Sequence, residues 1–451
     1  MPRSRAEPIP SQRQFAPEGP AANRAPARGR GTELVDLVAP AGNRAVGRFV
    51  RSLQRDPVDF TQTVPNVEGS GITRLEVRSL KYGVDDFQKS YGGDPDDLSD
   101  ERNKTKESPS HMAVVLVPDK LEPDKPVQVI LHFHGWGFRT GDPFAGYLTS
   151  PAGKVRDVAQ EHWEQQISSL TGQGAQVVAI LAQGRGKSDF GSFPTFEYVR
   201  DVLEKSGRPE LVKLADSENY SVVLSAHSGG GSMKVVKMLG GGEADTADRG
   251  GLKSQQPAKD DGRVINKLQP VDLVVLYEAL NGDGDVDAVM NWVDRQLTRI
   301  VPQLEQSSDK ALAATPTLRG YFGKRKSGYR ERYRWLACRI QEAIAARVPE
   351  KFRQDIADRF RIIEVAGPKG EDVEHEQVIS GTGAATSGSI ADALRAARNP
   401  QSDRTQAVTL SDDDCKKLKD RAKERAKERA EAAKAAAAKA AAAKATAPKK
   451  N

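Results

Sequence analysis

The chain lacks most of what would mark a membrane protein or a disulfide-built one. Its 451 residues include two cysteines, Cys338 and Cys415, too few for a disulfide framework or a cysteine-rich metal centre. No run approaches the ~18 apolar residues of a membrane span, and the opening MPRSRAEPIPSQRQFAPEGPAANRAPARGR has no apolar stretch of the kind a secretory signal needs. These absences predict a protein that is soluble and cytoplasmic at synthesis. Acidic charge is scarce at both ends. Residues 416–451 carry a net +9 and residues 1–56 a net +5, so in a chain of +6 overall the residues between them carry −8. An enzyme acting on nucleic acid carries positive charge where it meets the phosphates, so nucleic acid is a poor substrate for this acidic middle.

What is present is enough apolar residue, 37%, for a sizeable core. Residues 1–31 are rich in Pro, Arg, Ala and Gly and poor in bulky apolar side chains, a composition that predicts disorder. Residues 32–56 place Leu34, Leu37, Val38, Val46, Phe49, Val50 and Leu53 at helical spacing with arginines opposite, a short amphipathic element.

From about residue 70 to 398, strand-like runs alternate with helical patterns. TRLEVRSLKYG, HMAVVLVPD, VQVILHFHG, AQVVAILAQG, SVVLSAHSG, VDLVVLYEAL and FRIIEVAG read as strands, and their continuous apolar character implies burial on both faces. Amphipathic stretches between the later strands supply the crossovers that parallel neighbours need. The expectation is a three-layer α/β/α sandwich on a mostly parallel sheet. Polar inserts at 84–110 and 241–270 read as surface loops. Residues 411–451 form a charged Ala/Lys-rich tail with i,i+4 Glu to Lys or Arg pairs and no apolar face, which predicts a solvated helical spacer. Its cations could alternatively bind nucleic acid or another acidic surface without specificity.

Chemistry concentrates at the strand ends. The strand SVVLSAHSG runs straight into a helical pattern at Ser228, and the surrounding string is Ala226-His227-Ser228-Gly229-Gly230. A serine on a sharp strand-to-helix turn needs small residues two before and two after it, which the pattern G-x-S-x-G satisfies. Here Ala replaces the first Gly. A second string, His134-Gly135-Trp136-Gly137, ends an earlier strand, and the backbone N–H groups of Gly135, Trp136 and Gly229 could together face a developing oxyanion. His375 follows the FRIIEVAG strand and is the one histidine after Ser228, placed to accept the seryl proton. The carboxylate partner has three candidates: Glu278 at a strand end, ranked first, with Asp283 and Asp285 in the following NGDGD turn. The loop LAQGRGKSDFG has Leu181 where a phosphate-binding loop needs Gly, so nucleotide binding is rejected there. Gln183 and Arg185, with His134, are candidate substrate contacts at the same sheet edge. The four histidines His132, His134, His227 and His375 offer a competing reading, a metal-dependent hydrolase.

Taken in order, the HGWG loop, the AHSGG elbow and the late His375 resemble the α/β-hydrolase superfamily over most of the chain. The resemblance implies acyl transfer through a covalent seryl intermediate on an ester, thioester or amide of a small molecule or peptide, with no metal or organic cofactor. It leaves open a noncatalytic binding or cargo protein that keeps the fold as a scaffold. The string AGNRAV at the start of residues 41–56 resembles a short leader in bacterial proteins associated with extracellular contractile injection systems. Here Leu-Val-Ala-Pro precedes it and Gly-Arg-Phe follows, where the relatives carry other residues. That resemblance implies an exported effector whose partner is the injection particle.

Overall fold

A computed structural model describes residues 61–64, 71–82, 113–135, 163–182, 190–191, 193–240, 271–325, 327–367, 369–373, 375, 377–380, 389–398 and 407–446, all within one compact unit, Val58–Asn451. The expectations for the N-terminal segment and leader (1–56), both polar inserts, Trp136, Gln183 and Arg185 fall outside the described residues.

Nine strands form a single sheet: β1 (Thr61–Val64), β2 (Ile72–Val77), β3 (Ala113–Pro118), β4 (Val127–Phe133), β5 (Val177–Ala182), β6 (Tyr220–His227), β7 (Val271–Tyr277), β8 (Thr317–Gly323) and β9 (Phe360–Val365). Their order is β1-β2-β3-β5-β4-β6-β7-β8-β9. Pairing is antiparallel from β1 to β5 and parallel from β5 through β4, β6, β7 and β8 to β9. This is the mostly parallel, helix-flanked α/β sheet that the alternating strands and helices predict.

The helices are α1 (Trp163–Gly172), α2 (Thr195–Lys205), α3 (Pro209–Ser217), α4 (Val236–Gly240), α5 (Asp283–Leu304), α6 (Ser308–Ala313), α7 (Gly328–Arg347), α8 (Arg353–Ala357), α9 (Gln377–Ser380), α10 (Ile390–Arg398) and α11 (Asp412–Thr446). They divide between the faces of the sheet by strand alternation. Val129, Leu131 and Phe133 of β4 pack with residues of α2, α5 and α7, whereas Ile130 packs with Trp163, Ile167 and Leu170 of α1 and Ile390 and Leu394 of α10. Each buried Val, Leu or Ile contributes about 1.5–3 kcal/mol, so the sheet is held from both sides. On the α1 face a fully buried ion pair joins Arg74 of β2 to Glu164 of α1.

Two features depart from the sequence expectations. β8, TLRGYFG, escapes an apolar-run reading because Arg319 and Gly320 interrupt it, yet all seven of its residues are buried. A Cβ on Gly320 would lie 2.7 Å from Ile362 and 2.8 Å from Tyr333, so the glycine makes room for the Tyr333 ring. The tail is helical but its first turns are docked, which corrects the solvated spacer. Cys415 forms a disulfide with Cys338 of α7, Leu418 is buried, and Arg425 and Arg429 pair with Asp283. Composition missed this because a single Leu, a Cys and two Arg in an Ala/Lys background make no apolar stripe.

Candidate active site

Because β4, β6, β7, β8 and β9 are parallel, their C-terminal ends meet at one edge of the sheet, and the chemical groups collect there. Ser228 is the first residue past β6. Its φ of +51° is left-handed, a conformation that costs a non-glycine residue on the order of 1–3 kcal/mol and persists only when neighbours enforce it. They do so here through the Ser228 N–H, which donates to Tyr277 O at 2.9 Å, and Gly231 N, which donates to Ser228 O at 3.1 Å. The chain then enters a π-helical turn, Gly231–Val235.

The small residues around Ser228 are required by contact. A Cβ on Gly230 would overlap Phe133 O and lie 2.6 Å from His134 O, and one on Gly231 would overlap Ala279. Gly135 comes from the other side: a Cβ there would lie 2.8 Å from the Ser228 Cβ. The end of β4 therefore passes directly against the serine, with Gly229 buried at the start of the helical turn.

Glu278 repeats the device one strand over. It follows β7 with φ of +41°, and its N–H donates to Tyr321 O of β8 at 2.9 Å. The carboxylate is buried; one oxygen accepts from Gly323 N at 2.9 Å and the other pairs with Nδ1 of His375. Of the three candidate carboxylates, Glu278 is the one on the imidazole. Asp285 instead caps α5, accepting from Asn281 N at 2.7 Å, Gly282 N at 2.9 Å and the Ser232 hydroxyl. Asp283 is turned to Arg425, Arg429 and Arg332. Both aspartates hold the loop.

The His375 ring sits in a stack. His227 lies 4.5 Å away centroid to centroid, and its Nε2 is 3.1 Å from the His375 carbonyl. A carbonyl can only accept, so His227 carries its proton on Nε2. Tyr329 lies against His375 at 5.1 Å and 12° between planes, and its hydroxyl donates to Asn281 Oδ1 at 2.7 Å. Burial pushes the Tyr329 phenol above its ordinary pKa, opposed by an interaction with the Ser228 hydroxyl. Tyr329 thus lies beside both Ser228 and the His375 ring. Sequence reasoning missed it, since it stands in a charged turn, KRKSGYRER, with nothing around it to mark a strand end.

His132 and His134, among the described residues, lie in the core. His132 is fully buried, with Nδ1 3.0 Å from Ser225 Oγ and its ring 4.5 Å from Trp163. His134 is equally buried; its Nδ1 donates to Gly135 O at 2.8 Å, and its ring packs on Phe190. Among the described residues no three His, Cys, Asp or Glu side chains are grouped as metal ligands, so the four-histidine cluster does not assemble.

No protein-family model matches the chain, and no curated protein matches it. Among solved structures it is similar to Thermogutta terrifontis esterase 2 in its native form, at 14% identity and TM-score 0.26, over 56% of this chain and 75% of that chain. The same esterase with butyrate bound gives 16% identity and TM-score 0.26, over 56% and 77%. Phosphonylated by cyclosarin, it gives 12% identity and TM-score 0.28, over 56% and 76%.

Proposed function

We propose that this chain is a serine hydrolase in which Ser228 is the nucleophile, His375 its base and Glu278 the acid. The observation that carries the reading is the buried Glu278 carboxylate on His375 Nδ1, beside a serine forced into a left-handed strand-end turn. Glu278 accepts from Nδ1–H, which fixes the tautomer and leaves Nε2 with the lone pair a base needs. His375 then takes the Ser228 proton as Oγ attacks an acyl carbon, and Glu278 stabilises the imidazolium. The carbonyl oxygen of the substrate becomes negative, and the N–H groups of Gly135, Trp136 and Gly229 are its donors. Expulsion of the leaving group takes the proton back from His375 and leaves Ser228 acylated; water, deprotonated by the same imidazole, releases the acid.

The substrate class is an ester, thioester or amide of a soluble small molecule or peptide. Arg185 and Gln183 are proposed substrate contacts, with Arg185 suited to an anionic group. A role as an injected effector rests on the AGNRAV string alone; copurification with an injection particle, abolished by deleting residues 1–56, tests it.

The test of the chemistry is labelling by a fluorophosphonate, which requires an activated seryl oxygen. Wild type is expected to label, and Ser228→Ala and His375→Ala to lose labelling. Glu278→Gln should retain labelling at a rate reduced about 10²–10⁴-fold, because the amide selects the wrong tautomer. A folded wild type that resists the probe favours the noncatalytic scaffold.

A further inference from the structure

The loop that carries Glu278 into α5 is held from three directions. From α7, the Tyr333 hydroxyl donates to Leu276 O at 3.0 Å and accepts from Ala279 N at 3.0 Å. Arg332 donates to Leu280 O at 3.3 Å, and Tyr329 donates to Asn281. From the turn after the nucleophile, Ser232 donates to Asp285. The third support is the C-terminal helix. Arg425 of α11 grips Asp283 with two donors, Nε to Oδ2 at 3.0 Å and Nη2 to Oδ1 at 3.2 Å, and its Nη1 pairs with Glu331 of α7. Arg429 adds a further contact to Asp283.

Asp283 opens α5, five residues after Glu278, and Glu331 lies two residues after Tyr329. Arg425 therefore joins the two helix starts that carry the acid and the tyrosine flanking the imidazole. The Asp283 side chain is 11% exposed and that of Glu331 30%, so their charges are only partly screened by water. Without the guanidinium, Asp283 keeps Arg429 and Arg332, but the half-buried Glu331 loses this cation and the tie from α11 to both helix starts is cut.

We propose that Arg425 is a positioning residue for the site: it neutralises Asp283 and Glu331 together and so keeps Glu278 and Tyr329 against His375. The proposal rests on the hydrolase reading. It makes the tail part of the catalytic domain, fastened by the Cys338–Cys415 disulfide and braced at the site by one arginine.

The experiment compares wild type, Arg425→Met, Arg425→Lys and Arg425→Met with Glu331→Gln in the whole 451-residue chain. Fluorophosphonate labelling rate and amide hydrogen exchange over residues 278–285 and 327–333 are both measured. Arg425→Met should label about tenfold more slowly and exchange faster in both segments. Lysine, a single point charge without the fork, should restore part of the rate. The double variant removes the carboxylate left without its cation and should regain part of it, a rescue that simple loss of helix docking would not give. A labelling rate unchanged in Arg425→Met, or a double variant no better than the single, overturns the proposal. Wild type that fails to label overturns the hydrolase reading and the catalytic role of Arg425 with it. Exchange unchanged in Arg425→Met overturns the brace itself.

Discussion

Gly230→Ala is the most direct test of the elbow. The added methyl would overlap Phe133 O and lie 2.6 Å from His134 O and 2.7 Å from Phe133 C. All three obstacles are backbone, so no side chain can rotate away; the end of β4 and the start of the helical turn must separate. Overpacking that side chains can partly absorb costs about 1–3 kcal/mol. Here about 3 kcal/mol or more is expected, a fall of roughly 6–12 °C at ~2–4 °C per kcal/mol for a domain of this size. Since Gly135 approaches Ser228 from the same stretch, the separation also displaces the proposed oxyanion donors, and fluorophosphonate labelling should drop at least tenfold. Gly284→Ala is the control: it lies in the first turn of α5 with nothing within 4 Å of its Cβ, so alanine should be neutral or stabilise by about 0.5–1 kcal/mol. Calorimetric melts and labelling rates of both variants decide the matter. A Gly230→Ala protein that melts and labels like wild type would refute the close approach of β4 to the elbow.

The left-handed backbone at Ser228 predicts that Ser228→Gly melts above Ser228→Ala, by the few degrees that ~1 kcal/mol of relieved strain supplies; equal melting would show that the turn stores no strain. Arg74→Met removes the cation from the fully buried Glu164 and should cost about 3–5 kcal/mol in urea unfolding. Adding Glu164→Gln should recover a large part of that loss, and a double variant no more stable than Arg74→Met would deny the pair its coupling.

The strands that read clearly in the sequence are those dominated by apolar residues. SVVLSAH and VDLVVLY correspond to β6 and β7 because burial on both faces keeps Val and Leu at most positions around Ser225 and Asp272. β8 was hidden by Arg319 and Gly320, although the glycine is there because Tyr333 occupies the space of a side chain. That tyrosine in turn supports the Glu278 loop, so the residue that hid the strand also serves the site. Ser228 and His375 were legible because their positions follow from chain order and local turn chemistry. Tyr329, Asn281 and Arg425 were not, since their relevance arises from the packing of α7 and α11 and from no spacing in the sequence.

The choice among Glu278, Asp283 and Asp285 shows where local reading stops. All three lie within eight residues, and charge alone cannot rank them. What separates them is backbone direction. Ser228 and Glu278 each occupy the first position past adjacent parallel strands, each at positive φ, and each N–H continues the ladder into the next strand, to Tyr277 O and Tyr321 O. A turn of this kind lifts the side chain off the sheet at its edge instead of burying it in either face. The aspartates come later, where the chain has already begun a helix: Asp285 turns back to cap its exposed amides, as an N-terminal carboxylate does, and Asp283 is drawn to the arginines of α7 and α11. The proposed acid is therefore set apart by its place at the strand-end turn, and the carboxylates that follow anchor the loop behind it.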